Sequence, residues 1–189
     1  MYWIILYNID WSNLLLQHAS QGIYKNKEDK MSIRSAAKAI IINNNKVLLN
    51  KCFDENNGYY YSLPGGGQKT YETLHEAIVR ESLEETGHSV VPVRFSALFE
   101  EICDSEKTRE LYPEYVHKMY HIFICKLENN DVNKPTEIDD MQLESKWIDI
   151  EDLNKIHLEP DCLNDNIEKM INSDVPVFLG SKHIPYNHG

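Results

Sequence analysis

The sequence predicts a layered fold of the α/β or α+β class, a mixed β-sheet with helices packed on it. Three observations point there. Short segments rich in Ile, Val, Leu and Tyr, separated by turn residues, recur before and after the middle of the chain. One segment between them, 71–86, has a helical period and stops at Gly87. The 189 residues, with 42% hydrophobic and 10% aromatic content, suffice for one core of ordinary size.

The elements follow in order. "AAKAIII" (36–42) reads as a strand, "NNN" (43–45) as a turn and "KVLLNKCF" (46–53) as the returning strand. "DENNG" (54–58) is a second turn, "YYYSLP" (59–64) a third strand, and three glycines at 65–67 break regular structure. Thr70 can cap the helix over 71–86, whose apolar members are Leu74, Ala77, Ile78 and Leu83. Strand-like sequence resumes at 89–103, and a polar excursion at 104–114 leads into the clearest strand, 115–127. A loop is expected at 128–140, a strand at 142–150, and short helices at 151–156 and 161–171.

The N-terminal segment "MYWIILYNIDWSNLLLQHAS" lacks a basic region, and Asn8, Asp10 and Asn13 interrupt its apolar run, so it is too polar for a membrane span or export signal. Met31 follows "KEDK", whose codons can contain a bacterial ribosome-binding sequence. Residues 1–30 are therefore read either as upstream sequence outside the native protein or as an N-terminal extension with a charged linker. The expected division is 1–30 extension, 31–158 domain and 159–189 C-terminal helix and tail.

A net charge of -11 argues against non-specific binding to nucleic acid or anionic membrane, which needs clustered Lys and Arg. Phosphorylated ligands remain compatible where metal ions supply the positive charge. Cys52, Cys103, Cys125 and Cys162 contain no CxxC pair and read as reduced, packed thiols of a cytoplasmic protein.

The chemistry concentrates in "GGGQKTYETLHEAIVRESLEETGH" (65–88). Glu81, Glu84 and Glu85 share one helical face, where like charges repel unless a cation relieves them. Hard divalent cations take oxygen ligands, commonly carboxylates together with substrate phosphates. Gly66 leaves the backbone open to a ligand or metal, and Arg80 stands four residues from both Glu76 and Glu84, able to pair along the helix. A solvated acidic face is the bland alternative. The acidic segments lack the loop pattern of an EF-hand calcium site.

This segment resembles the box of the Nudix hydrolase family, G-x5-E-x7-R-E-U-x-E-E-x-G-U with U a bulky aliphatic residue. Gly66, Glu72, Arg80, Glu81, Glu84, Glu85 and Gly87 all fall at its fixed positions, while Ser82 and His88 replace the aliphatic ones. At roughly 7% usage per letter, a chance match is on the order of one in a million. "LPGGG" before the box and "WIDIEDL" (147–153) late in the chain extend the likeness.

The resemblance implies a Nudix-type fold, a mixed sheet sandwiched between helices. It also implies a hydrolase of nucleoside diphosphates linked to another moiety, in which water attacks phosphorus. Magnesium, with manganese as an alternative, would be held by Glu81, Glu84, Glu85 and the Gly66 carbonyl. Glu84 or Glu85 would be catalytic, with Glu100, Glu101, Glu137 and Asp139 as other candidates for the base, and Glu72, Arg80 and Gly87 would support the site. Ser82 is expected to pack on the Leu74/Ile78 face and bond back to the helix, and His88 to lie near the helix's last carbonyls. The alternative within the family is a regulator that binds a nucleotide without hydrolysing it. The partner in either case is a small nucleotide-type molecule.

Outside the box, His117 and His121 sit about 13 Å apart on one strand and would not share a metal. Tyr59, Tyr60 and Tyr61 are read as stacking on a base or simply packing, and 108–115 as a flap or a hairpin tip. The family's proline marker for ADP-ribose and its tyrosine marker for dinucleoside polyphosphates are not met, since Asp104 and Ser105 occupy that region and Tyr112 and Pro113 come later.

Overall fold

In a computed structural model that describes residues 33–185, β1 (Arg34–Asn43) and β2 (Lys46–Asp54) form a hairpin. The expectations for residues 1–30 lie outside the described residues. Asn44 and Asn45 make the turn at φ 49 and 61, the paired positive angles that match the twist of the flanking strands. β3 (Gly58–Ser62) returns along β2, and α1 (Leu74–Thr86) follows the glycine loop. Then come β4 (His88–Cys103), α2 (Glu106–Leu111), β5 (His117–Val132), β6 (Gln142–Asp149), α3 (Ile167–Asn172) and β7 (Val177–Ile184).

The strands form one mixed sheet in the order β3-β2-β1-β5-β4-β7, with β6 pairing to β2. β1 runs parallel to β5 and β4 parallel to β7, while β4 and β5 are antiparallel. Alternation along β1 sorts its side chains onto two faces. Ala37, Ala39 and Ile41 pack with Ala77 and Ile78 of α1. Ala36 and Ile40 belong to a second core with Ile122, Leu153, Leu163, Ile167 and Met170. Helical segments thus cover both faces, as a sandwiched mixed sheet requires, and residues 159–185 belong to the same compact unit.

Several boundaries differ from the sequence reading. Thr73, not Thr70, caps α1: its side chain accepts from the Glu76 backbone, and Glu76 reaches back to the Thr73 backbone. Tyr71 stands fully exposed at φ 68, so the helix begins three residues later than its periodicity suggested. β5 runs on through 128–132 because His88 pairs with Val132, so pairing overrides the polar composition there. The 161–171 helix is split into a 3-10 turn at Asp161–Leu163 and α3, where the Asn164 side chain bonds both the N–H and the C=O of Leu158. Residues 150–155 form a 3-10 helix. α2 and β7 were not expected from the sequence. Gly180 and the exposed Phe178 and Lys182 leave β7 without a clean alternation, and its parallel partner β4 supplies the order.

Candidate active site

The glycine loop is pinned to the sheet before α1 starts. Ala39 N–H donates to Pro64 O and Ala37 N–H to Gly66 O, both at 2.9 Å, and Gln68 N–H donates to Ser35 O at 2.9 Å. The loop therefore runs as a short extra strand along β1. At Gly66 an added Cβ would stand 2.6–2.8 Å from the carboxylate atoms of Glu81, so the absence of a side chain lets that carboxylate lie against the loop. The far end of α1 is fixed as tightly. Gly87 adopts φ 73, donates to Leu83 O and accepts from Asn133 N–H, and a Cβ there would meet Asn133 O at 1.9 Å.

Between these anchors Arg80 organises the acidic face. Its Nε donates to Glu72 Oε1 at 2.7 Å and its Nη2 to Glu72 Oε2 at 2.9 Å, a bidentate pair. Nη1 donates to Glu81 Oε1 at 2.6 Å and Glu84 Oε2 at 2.9 Å, and Nη2 also reaches Gly67 O at 3.0 Å. Arg80 does not pair with Glu76, whose carboxylate serves the helix cap. The guanidinium holds the Glu72 carboxyl down at about 2, and its own pKa is raised in return.

Glu85 points elsewhere. Its Oε2 accepts from Asn50 Nδ2 at 2.8 Å and Gly65 N–H at 2.9 Å. The residue keeps some surface in a cavity wall, yet burial is the largest influence on its carboxyl and pushes it up, against the lowering effect of Lys38. Asn50 is buried and receives Ser145 Oγ at 2.8 Å, while Gln142 donates to Glu85 O at 3.1 Å. Lys38 donates to Gly65 O. Sequence reasoning missed Asn50, Ser145, Gln142 and Lys38; an Asn and a Lys inside otherwise apolar strands were the available signal.

The cavity that Glu85 lines is also walled by Lys38, Asn50, Glu101, Lys118 and Asp139. Of the alternative bases, Glu101 and Asp139 thus face the cavity. Glu100 accepts from Ser181 and meets His117 Nε2 at 2.8 Å, and the Glu137 backbone bonds Glu84 O, neither side chain being part of the lining. Tyr60 lines the cavity, whereas Tyr59 is exposed and packs on Phe53. His121 meets Ala36 O at 3.3 Å. Residues 108–115 lie in α2 and a 3-10 turn, with Tyr115 beneath the Arg34 guanidinium.

Two expectations about the box are corrected. Ser82 is fully buried, but its hydroxyl has no partner among the described residues; Thr86 Oγ1 instead donates to Ser82 O at 2.6 Å. His88 packs edge-on against Trp147, and burial lowers its pKa. The aliphatic positions of the pattern are therefore filled by small or flat polar groups inside the core.

The donor set fits a hard divalent cation in kind: carboxylate oxygens, a backbone carbonyl at Gly66, and no Cβ between that loop and Glu81. Among the described residues no three acidic, His or Cys side chains stand grouped as a metal cluster, because Glu81 and Glu84 turn to Arg80 and Glu85 to Asn50.

Residues 32–170 match the NUDIX domain family. The nucleoside triphosphatase NudI of Enterobacter sp. (strain 638) is 32% identical over 133 residues, which cover 68% of this chain and 90% of that one. A Caenorhabditis elegans protein named as a nudix hydrolase is 29% identical over 134 residues, 67% of this chain and 32% of the relative, so the chain spans about a third of that relative's length. The NUDIX hydrolase structure from Nitrosomonas europaea superposes with a TM-score of 0.58 at 19% identity, covering 81% of this chain and 80% of that one.

Proposed function

Since the chain belongs to the Nudix family, we propose that it is a metal-dependent hydrolase cleaving the diphosphate linkage of a nucleoside diphosphate derivative by water attack at phosphorus. The observation that carries this reading is the Glu85 carboxylate in the cavity wall, aimed by Asn50 and Gly65 beside the Arg80-held carboxylates. Relatives named as a nucleoside triphosphatase and as a nudix hydrolase support hydrolysis of a nucleotide-type substrate.

Magnesium, or manganese in its place, would be held by Glu81, Glu84 and Glu85 with the Gly66 carbonyl, and when bound it neutralises phosphate charge and makes water a better nucleophile. Glu84 or Glu85 takes the proton from the attacking water. Geometry favours Glu85 for that role, because it lines the cavity with its carboxylate oriented by Asn50 and the Gly65 N–H, whereas Glu84 turns to Arg80. The bond between phosphorus and the bridging oxygen breaks as the new one forms. Glu72, Arg80 and Gly87 are supports: the first two brace the carboxylates, and Gly87 ties the end of α1 to Asn133. No helix among the described residues is long and apolar enough to cross a membrane, and a cytoplasmic setting is supported by four free cysteines.

Product release from a panel of nucleoside triphosphates, nucleoside diphosphate sugars, ADP-ribose, NADH and dinucleoside polyphosphates tests the reading. Turnover should need magnesium or manganese, and Glu85→Gln should lower it on the order of a hundredfold or more. Tight nucleotide binding without turnover on any member would replace the hydrolase with the nucleotide-binding regulator.

A further inference from the structure

One cation of the cavity lining is left without an acid. Alternation along β1 puts Arg34, Ala36 and Lys38 on one face, and all three line the cavity that also holds Glu85. Lys38 is engaged by Gly65 O. Lys118 faces Glu101 Oε1 at 3.7 Å and has further contacts besides. Arg34 differs from both. Among the described residues its guanidinium gives no hydrogen bond and meets no carboxylate at ion-pair distance; its Cζ lies 4.5 Å from the ring centroid of Tyr115.

Two neighbours hold this guanidinium in place. Tyr115 stands in the 3-10 turn Pro113–Tyr115, which is fastened to the end of the sheet. Arg109 Nε donates to Cys103 O at 2.8 Å, and Cys103 N–H donates to Val116 O at 2.7 Å. The other neighbour is Gly67, where an added Cβ would stand 2.6 Å from Arg34 Nη2 and 2.7 Å from its Cζ. Gly67 makes room for the guanidinium as Gly66 makes room for Glu81. Arg34 therefore lies against the glycine loop one residue from the Gly66 carbonyl, the proposed cation ligand.

A ring stack satisfies none of a guanidinium's five N–H donors. Register adds a repulsion: Arg34 of β1 is paired with Lys118 of β5, while Glu101 lies one strand further, beside Lys118. An anion at Arg34 would relieve that repulsion. The four acids of the lining, Glu85, Glu101, Asp139 and Glu159, outnumber its three cations, so an anion can enter only where a cation is locally unmatched. Arg34 is such a place.

We propose that Arg34 is a phosphate-binding residue of the cavity, held flat by Tyr115 so that its paired N–H groups grip non-bridging oxygens of the substrate's diphosphate. This inference rests on the nucleotide-hydrolase reading of the same cavity. The planar fork of a guanidinium matches two phosphate oxygens at once, and an aromatic face fixes its plane without using its donors. Tyr115 is then a positioning residue, and the turn that carries it is part of the site.

The test is equilibrium binding of inorganic pyrophosphate, with and without magnesium, to the native protein, Arg34→Met, Arg34→Lys, Tyr115→Phe and Tyr115→Leu, with thermal midpoints measured in parallel. Arg34→Met should weaken binding about tenfold or more, the effect of losing a charged hydrogen-bonding partner. Arg34→Lys should recover little, since an ammonium neither forks nor stacks as a guanidinium does. Tyr115→Phe should bind as the native protein does, because the ring face is what holds Arg34, whereas Tyr115→Leu should lose affinity severalfold. That split separates a positioned guanidinium from a general loss of fold, and it decides the matter if Arg34→Met does not fold. A native protein that fails to bind pyrophosphate in either condition, or a folded Arg34→Met that binds it as tightly as native protein, overturns the proposal and leaves Arg34 a brace between the Tyr115 turn and the Gly67 loop. Arg34-dependent binding without turnover of any nucleotide would sink the hydrolase reading alone. Turnover with native KM and kcat in Arg34→Met would sink this inference alone.

Discussion

The protein handles charge in opposite ways in an outer cluster, Arg80 with Glu72, Glu81 and Glu84, and in a buried inner pair, Lys118 with Glu101. In the outer cluster, one guanidinium meets three carboxylates within 2.6–2.9 Å, and the groups keep 13–20% of their side-chain surface. In the inner pair, the Lys118 ammonium stands 3.7 Å from the Glu101 carboxylate with almost no exposure. The first cluster has an excess of negative charge and enough water access to carry it. The second is balanced because nothing else could tolerate it at that depth. An excess of anions invites a cation, whereas a balanced pair at depth calls for none.

The largest effect should come from breaking the outer cluster. Arg80→Ala leaves Glu72, Glu81 and Glu84 without their common partner and should cut turnover on the order of a hundredfold while lowering the thermal midpoint. Arg80→Lys should rescue little, because a point charge cannot reproduce the bidentate fork to Glu72 together with the Nη1 contacts. Recovery of full activity by lysine would show that charge alone matters there. It would weaken the contrast with the inner pair.

Gly66→Ala sharpens the same comparison at intermediate size. The three atoms nearest the new Cβ all belong to the movable end of Glu81, so the fold should hold while the carboxylate is displaced. Turnover should drop about tenfold or more with stability lowered by about 1 kcal/mol or less. If stability fell heavily with turnover intact, Gly66 would be a folding glycine like Gly87, where the obstacle is the Asn133 carbonyl.

The contrast also explains what the sequence disclosed. The outer cluster is local: Arg80, Glu81 and Glu84 share one helix and Glu72 lies just before it, so one short window holds all four. The strand segments, the body of the helix and the Gly87 stop were legible for the same reason. Asn50 reaches Glu85 across 35 residues, and Lys118 meets Glu101 only through the antiparallel register of β4 and β5. No window of sequence contains that register, and a slip of one residue would send both side chains to the other face. The separate directions of Glu85 and the Glu81–Glu84 pair were hidden too, because helical spacing fixes a face and says nothing of rotamers that Asn50 and Arg80 select.

The smallest effect is a titration at Glu72. Arg80 holds this carboxyl at about 2, against an ordinary value of 4.5, so its contribution to stability is complete above pH 4.5 and is lost as pH falls toward 2. Glu76, Glu100 and Glu144 are lowered as well, which makes the acid limb of the native protein a sum over several groups. Comparison with Glu72→Gln isolates the one term. Denaturant midpoints should show the native protein ahead of the variant at pH 6, with the gap closing between pH 4.5 and about 2. The inner pair should leave no trace in that window, since the Glu101 carboxyl is pushed up and not down. A gap that stays constant with pH would mean that Glu72 braces the loop through packing and its bond from Lys69 N–H, with its charge immaterial to the outer cluster.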